Sequence, residues 1–91
     1  MALHTLKNPS RLSEVLELLG PEDCLLIIDN AVQRLRSSQT LAQRLPCPGW
    51  LLSADVERAG LKIDEGTALP LLSYEQWVGL TEDHQQSILW D

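Results

Sequence analysis

The chain has 91 residues, of which 44% are hydrophobic and 22% are charged, an ordinary globular composition that excludes a disordered tail. A chain of this length holds one hydrophobic core, so we expect residues 1–91 to form a single domain. The formal net charge is −6, and the excess of acid lies in residues 51–91, which contain eight acidic residues and only two basic ones, Arg58 and Lys62. The chain therefore lacks the surplus of basic residues that a nucleic-acid-binding protein uses to hold phosphates.

The short apolar runs and the two cysteines exclude membrane-spanning, disulfide-rich and zinc-binding proteins. No apolar run approaches the roughly 18–20 residues that span a bilayer, and the first ten residues lack a signal-peptide layout. Cys24 and Cys47 are too few for a disulfide scaffold and lack the spacing of a zinc site. We expect a cytoplasmic protein without a membrane segment, bound metal or cofactor.

The first half of the chain alternates apolar runs with helical patterns. Ala2–Leu6 predicts a strand, and a helix follows with apolar residues at helical spacing from Leu12 to Leu19, ended by Gly20-Pro21. Cys24–Ile28 is continuously apolar, as in a strand that is covered on both faces.

The next predicted helix carries Val32 and Leu35 and is capped by Asp29 or Asn30, and Ser37 and Ser38 loosen it. A further turn is predicted over residues 40–45, before Pro46 and Pro48.

The second half continues the alternation. Trp50–Leu52 predicts a third strand, and a short helix over Val56–Ala59 follows, capped by Ser53 or Asp55 and closed by Gly60. Residues 61–63 lead into a predicted turn at residues 64–66.

Leu69–Leu72 predicts a fourth strand, in which Pro70 is tolerable only near the start or at a sheet edge. Ser73 and Gln76 form a capping box for a helix that carries Trp77, Val78 and Leu80. Ser87–Trp90 is either a short fifth strand or an anchored tail.

Strands that alternate with helices predict an α/β fold, a small doubly wound, mostly parallel sheet of four to five strands with short helices on both faces. Helices this short leave part of such a sheet uncovered, so we expect exposed apolar surface and an oligomer. Trp50, Trp77 and Trp90 are candidate interface anchors, and core packing is the alternative.

Motifs for nucleotide binding and hydrolysis are absent. The sequence contains neither a G-x-G-x-x-G nor a Walker loop, and it lacks the G-x-S-x-G elbow of α/β-hydrolases. His4 and His84 lie at opposite ends of the chain, and a lone histidine on a strand is more often a satisfied structural group than a base.

Cysteine is the remaining nucleophile. A sulfur-carrying cysteine needs thiolate character, which a helix N-terminus or a nearby cation supplies, together with access to solvent. Cys24 opens the most apolar strand, where burial would raise its pKa. Cys47 lies in a loop between two prolines and is more accessible; Arg44 could assist it, but no helix starts directly after it. Neither is well placed for catalysis, and both stay as alternative catalytic candidates.

Four parts of the chain carry recognisable patterns: Leu3–Leu6 with Asp23–Asn30 at the start, Leu52–Leu61 with an acidic-x-x-Ala-Arg-Gly-Leu-like pattern, Ser73–Thr81, and the near-terminal Trp90. Together and in this order they resemble the TusB/DsrH family. The resemblance runs from residue 3 to residue 90 and so covers essentially the whole chain.

The resemblance implies a DsrEFH-like fold and a non-catalytic subunit of a cytoplasmic sulfur-relay complex. In TusB-like systems this is a heterohexamer of two B–C–D trimers that passes persulfide sulfur toward 2-thiolation of the tRNA wobble uridine. The implied partners are TusC-like and TusD-like subunits, with sulfur-carrier proteins reached indirectly, and the TusD-like subunit carries the relay cysteine. DsrH-like members have a cysteine around the first helix, whereas Asn8–Leu19 contains none, which favours the TusB-like branch.

Two other functions stay open. One is a sulfurtransferase or persulfide carrier of a sulfur-oxidation system that uses Cys47 or Cys24. The other is a stand-alone ligand-binding module, which a tight complex with two small paralogous α/β subunits would argue against.

Overall fold

The computed structural model describes residues 2–34, 43–60, 69–84 and 86–91, and every structural statement below concerns these ranges. Several predictions fall outside them: the helical continuation at Leu35, Ser37 and Ser38, the first half of the turn at 40–45, and the segment 61–66.

Strands and helices alternate along the described chain. In order they are β1 (Ala2–Leu6), a 3-10 turn (Pro9–Arg11), α1 (Leu12–Leu18), β2 (Cys24–Ile27), α2 (Asp29–Arg34), β3 (Gly49–Leu52), α3 (Ser53–Ala59), β4 (Leu71–Leu72), α4 (Tyr74–Asp83) and β5 (Gln86–Trp90). The apolar run that ends the chain is therefore a fifth strand and not a tail.

The five strands form one parallel sheet in the order β4-β3-β2-β1-β5. Next to the β5 edge, Leu6 of β1 lies between Ile27 of β2 and Trp90 of β5. From β1 the chain adds β2, β3 and β4 on one side and then returns to add β5 on the other side. This order confirms the doubly wound α/β fold.

Because successive strand residues point to opposite faces, the sheet divides the apolar side chains into two cores. The larger core lies under α1, α2 and α3 and contains Leu6, Val15, Leu19, Leu25, Ile27, Ala31, Val32, Leu51, Val56 and Leu69. The smaller core contains Leu3, Leu26, Ile28, Leu52 and Leu72, and Trp77 and Leu80 of α4 pack against it. Helices thus cover both faces, as predicted.

Apolar surface also remains exposed, as predicted, but the tryptophans do not provide it. Trp90 packs against the larger core, and Trp50 and Trp77 pack against the smaller one. The exposed large hydrophobic side chains are Leu18, Tyr74, Val78, Ile88 and Leu89.

Two predicted helix signals are confirmed. The Ser73 hydroxyl accepts from the Gln76 N–H at 3.2 Å, and the Gln76 side chain accepts from the Ser73 N–H at 2.9 Å, which completes the capping box of α4. Gly60 ends α3 with φ of 69°, a left-handed conformation that costs glycine little.

The predicted cap of α3 is wrong. Strand β3 runs directly into α3, so Ser53 and Asp55 lie inside the helix and Leu52 occupies the cap position without a side-chain bond. Helix α2 begins at Asp29, whose φ of 52° is not helical, and the Ala31 N–H donates to the carbonyls of Lys7 and Ile28.

The fourth strand is shorter than predicted. Only Leu71 and Leu72 pair with β3, and the Pro70 carbonyl accepts from the Leu51 N–H at 3.0 Å. Proline lacks an N–H to donate, so the ladder begins after it, at the sheet edge where the sequence allowed it.

Candidate functional site

A cleft of about 410 Å³ lies between α4 and the carboxyl ends of the strands. This edge is where parallel α/β sheets bind their ligands, because loops and helix starts converge there. Charged, hydroxyl and aromatic side chains line the cleft together: Thr5, Lys7, Asp29, Asp55, Arg58, Tyr74, Trp77, Thr81 and Ser87 contribute, with apolar walls from Ile28, Leu52 and Leu89.

Asp55 is the buried acid of this cleft, with 5% of its surface exposed. Its Oδ2 accepts from the backbone N–H of Asp29 at 2.8 Å, and its Oδ1 lies 3.3 Å from the Arg58 guanidinium, one helical turn further along α3. Arg58 also lies 4.0 Å from the Asp29 carboxylate. The hydrogen bond and the ion pair offset the cost of burying the Asp55 charge.

Asp29 has φ of 52°, the one positive φ of a non-glycine residue in the described chain. The left-handed conformation is strained for most side chains, although aspartate tolerates it better than most. It lies where β2 turns into α2, and the Asp55 carboxylate holds its N–H. The cluster of Asp29, Asp55 and Arg58 therefore joins the β2–α2 turn to α3.

The local sequence of α3 brings the side chains of this cluster together. Asp55 and Arg58 share one face of α3 because they are three residues apart, and Gly60 ends the helix in a conformation that favours glycine. Sequence reasoning assigned Asp55 to a helix cap and gave Asp29 and Arg58 no joint role. The available signal was the three-residue spacing of Asp55 and Arg58, which places both on one face of a helix.

The aromatic wall of the cleft is Trp77 and Tyr74, whose ring centroids lie 6.2 Å apart. The Trp77 Nε1 is buried and has no hydrogen-bond partner among the described residues, and Tyr74 is 53% exposed. None of the α4 residues is fully buried. Helix α4 therefore covers its face of the sheet only loosely.

Both thiols lie at the amino ends of the strands, on the side of the sheet opposite to the carboxyl ends that form the cleft. Cys24 opens β2 and packs against the smaller core, while Cys47 precedes β3 and packs against the larger one. The structure therefore places the two candidate nucleophiles on different faces and brings neither into the cleft.

The surroundings of the thiols oppose thiolate formation. Burial raises the pKa of the Cys24 thiol, and the Asp23 carboxylate adds to the rise. Burial also raises the pKa of Cys47 to about 11, with Cys24 and Asp23 as further causes. Cys47 and Cys24 are both half-buried, and Cys47 packs against the larger core.

His4 is a structural group, buried with 4% of its surface exposed. Its Nδ1 accepts from the Trp90 indole N–H at 3.0 Å, and the two rings stack with centroids 6.1 Å apart. Its Nε2 lies 3.7 Å from Asp23. His4 thus ties the last strand to the first.

Asp23 in turn fixes the turn before β2. Its carboxylate accepts from the N–H groups of Gly20 at 2.9 Å and Ala2 at 3.0 Å. The Gly20 hydrogen bond lowers the pKa of this carboxyl, partial burial opposes that effect, and the bond from Ala2 and the nearby His4 lower it further.

His84 lies away from the cleft, at the end of α4. Its Nδ1 is 2.7 Å from the Leu80 carbonyl, and its Nε2 is buried without a partner within the described ranges. His4 and His84 share no site.

Metal-ligand clusters and membrane-spanning helices are both absent from the described part of the chain. Nowhere in it do three or more His, Cys, Asp or Glu side chains gather in a group that could hold a metal ion. Its helices are also too short and too polar for any of them to span a bilayer.

Comparison with known proteins identifies relatives along most of the chain. A family model described as DsrH like protein matches residues 7–87. Proteins named TusB from Yersinia pestis (strain Pestoides F) and Yersinia pseudotuberculosis serotype O:1b (strain IP 31758) are each 35% identical over 82 residues, which cover 87% of this chain and 86% of the relative.

A solved structure has the same fold. The solution NMR structure of protein Tm0979 from Thermotoga maritima superimposes with a TM-score of 0.67, covering 93% of this chain and 95% of that chain at 21% sequence identity.

Proposed function

The chain belongs to the DsrH-like family, and from this premise we propose that it is a non-catalytic subunit of a cytoplasmic sulfur-relay complex of the TusBCD type. In this proposal residues 1–91 act as one domain, which assembles with TusC-like and TusD-like subunits. The complex passes persulfide sulfur toward 2-thiolation of the tRNA wobble uridine.

The state of the two thiols is the observation that carries the proposal. Persulfide transfer starts with attack by a thiolate, and a thiol with a pKa of about 11, as for Cys47, is almost wholly protonated at neutral pH. The pKa of Cys24 is raised as well, and both sulfurs lie at the amino ends of the strands, opposite to the cleft. The nucleophile would therefore come from a partner subunit.

The exposed apolar side chains support assembly. Tyr74, Val78 and Leu89 are each more than half exposed, which is costly for an isolated small domain and ordinary for a subunit. Sulfur-carrier proteins would meet this chain only through the assembled complex.

The experiment is replacement of both cysteines in the cell. A Cys24→Ala/Cys47→Ser chain, expressed in cells that lack the native protein, should restore 2-thiouridine in tRNA, measured by mass spectrometry of digested nucleosides. Alanine at position 24 avoids a buried hydroxyl, whose desolvation without a partner costs about 1–3 kcal/mol. The wild-type chain and an empty vector are the controls.

Two results would contradict the proposal. If the double variant assembles normally but restores no thiolation, the chain carries sulfur itself and is a sulfurtransferase. If cells that lack the chain keep normal tRNA thiolation, it serves another pathway.

The proposal also excludes direct tRNA binding by this subunit. With seven basic residues against thirteen acidic ones, its long-range field repels a polyanion. A mobility-shift titration against tRNA at about 150 mM salt should show no saturable micromolar binding. Binding that weakens steeply as salt rises would contradict this exclusion.

A further inference from the structure

The two edges of the sheet are built differently. Strand β4 has two residues and follows Pro70, so its edge offers few backbone groups. Strand β5 has five residues, Gln86–Trp90, with neither a charge nor a proline among them. Proteins usually protect sheet edges with short strands, prolines or charges, and here only β4 has such protection.

The free backbone groups of β5 can be identified. The Trp90 carbonyl faces β1, because it accepts from the N–H groups of Lys7 at 3.0 Å and Asn8 at 3.1 Å. The N–H and C=O of one residue point to the same side of a strand, and the side alternates along the chain. Gln86 and Ile88 therefore also face β1, whereas the N–H and C=O of Ser87 and Leu89 point away from the sheet.

Strand β5 is fixed before any partner arrives. All five of its residues are in register with β1, and the Trp90–His4 hydrogen bond of 3.0 Å anchors its end. A preorganised edge loses little conformational entropy when another strand pairs with it. The side chains of Ile88 and Leu89 are 38% and 57% exposed, and Leu89 shares the cleft wall with Tyr74 of α4.

The charges around β5 select the kind of partner. Residues 69–91 carry Glu75, Glu82, Asp83 and Asp91 and contain no lysine or arginine. If a second copy paired antiparallel about Ile88, Asp91 of each copy would come beside the end of the other's α4, which carries Glu82 and Asp83. Like charges at that point would oppose self-pairing.

We propose that β5 is a pairing edge that accepts a β-strand from a partner protein, with lysine or arginine residues flanking that strand. This inference rests on the proposed function, since it names the surface through which the chain enters its complex. The backbone groups of Ser87 and Leu89 would bond the incoming strand, and Leu89 and Tyr74 would contact its apolar side chains.

The test removes one outward N–H from the full chain. Ser87→Pro deletes a donor that faces away from β1, and proline is tolerated at such an edge position, where the residue before it already lies in a strand. Ser87→Ala is the matched control, because it changes the same side chain and keeps the N–H. Each variant is tagged and expressed in the native cell in place of the wild type, and its bound partners are quantified.

Recovery of stoichiometric partners should fall about tenfold or more for Ser87→Pro and stay unchanged for Ser87→Ala. Circular dichroism of the purified variants checks that both keep the fold. A second measurement is hydrogen exchange of the wild-type complex at single-residue resolution, in which Ser87 and Leu89 should exchange about tenfold or more slowly than in the free chain. Cross-linking should join Asp83 or Asp91 to partner lysines.

Each contrary outcome has a distinct meaning. One contrary outcome is a complex that forms while Ser87→Pro recovers as much partner as the wild type and assembly leaves the exchange of Ser87 and Leu89 unchanged. In that case the pairing inference is wrong while the proposed function stands. A homodimer that protects Ser87 and Leu89 overturns the choice of partner. If no complex is recovered with the wild-type chain, the proposed function and this inference both fail.

Discussion

Replacing Asp55 with alanine tests whether the cluster of Asp29, Asp55 and Arg58 holds the β2–α2 turn. The substitution removes the 2.8 Å hydrogen bond to the Asp29 N–H and the 3.3 Å ion pair with Arg58. A hydrogen bond to a charged group contributes about 1.5–3 kcal/mol, and an ion pair with an exposed partner contributes at most about 1 kcal/mol. Burying the carboxylate has a cost that alanine avoids, so we expect a net loss of about 2 kcal/mol.

Two companion variants separate the parts of this loss. Asp55→Asn keeps an oxygen acceptor for the Asp29 N–H but loses the charge, so it should destabilise the chain about half as much. Asp29→Gly relieves the strain of a φ of 52° and should stabilise the chain by about 0.5–1 kcal/mol, since the Asp29 N–H remains. Glu57→Ala is the matched control, because Glu57 is an exposed acid on the same helix.

Urea unfolding followed by circular dichroism, at one protein concentration for all variants, measures these differences. A loss of 2 kcal/mol corresponds to a fall in Tm of roughly 8–16 °C for a domain of this size. If Asp55→Ala lies within about 0.5 kcal/mol of Glu57→Ala, the cluster does not stabilise the fold and the reasoning is refuted.

Three further predictions concern groups near the amino ends of the strands and in the last strand. Trp90→Phe should destabilise the chain by about 1–3 kcal/mol in the same unfolding assay, because it leaves the buried His4 Nδ1 without a donor; an unchanged stability would contradict this. The pKa of Asp23 is lowered on folding, so its contribution is present above the usual value of 3.8 and is lost as pH falls through the folded value. The stability difference between wild type and Asp23→Ala should therefore be constant from about pH 5 to 7 and shrink below about pH 4, and a difference that grows in acid would be inconsistent with it. Because the pKa of Cys47 is about 11, only about one thiol in a thousand is ionised at pH 8, and alkylation by iodoacetamide should be far slower than in the urea-unfolded chain. Equal alkylation rates in the two states would show that the thiol is not shielded.

The parts of the fold that depend on residues close together in the sequence could be predicted. Cys24–Ile28 is apolar throughout because a central parallel strand is covered on both faces, and the structure has β2 there. The capping box at Ser73 and Gln76 needs only a three-residue spacing, and Gly60 needs only its own backbone freedom. Each signal lies within one element.

The site depends on contacts between distant residues, which one sequence does not display. Asp55 bonds a backbone N–H 26 residues away, and that bond requires β2 and β3 to be neighbours and Asp29 to adopt a positive φ. An aspartate near a helix start is ordinarily read as a cap, because the local donors are the only ones visible in the sequence. The Trp90–His4 bond spans 86 residues and exists because the chain returns to pair β5 beside β1.

The chemical groups that a sulfur carrier would need to combine lie at opposite ends of the parallel strands. Cations, hydroxyls and an open cleft lie at the carboxyl ends of the strands, through Lys7, Arg58 and Thr81, whereas Cys24 and Cys47 lie at the amino ends against apolar cores. A strand of four residues spans roughly 13 Å, so no side-chain rotation brings either thiol to the cleft. Sulfur transfer by this chain alone would need a thiolate, and both of its thiols are half-buried with raised pKa values. The proposed role is therefore assembly through β5, with the reactive sulfur on another subunit.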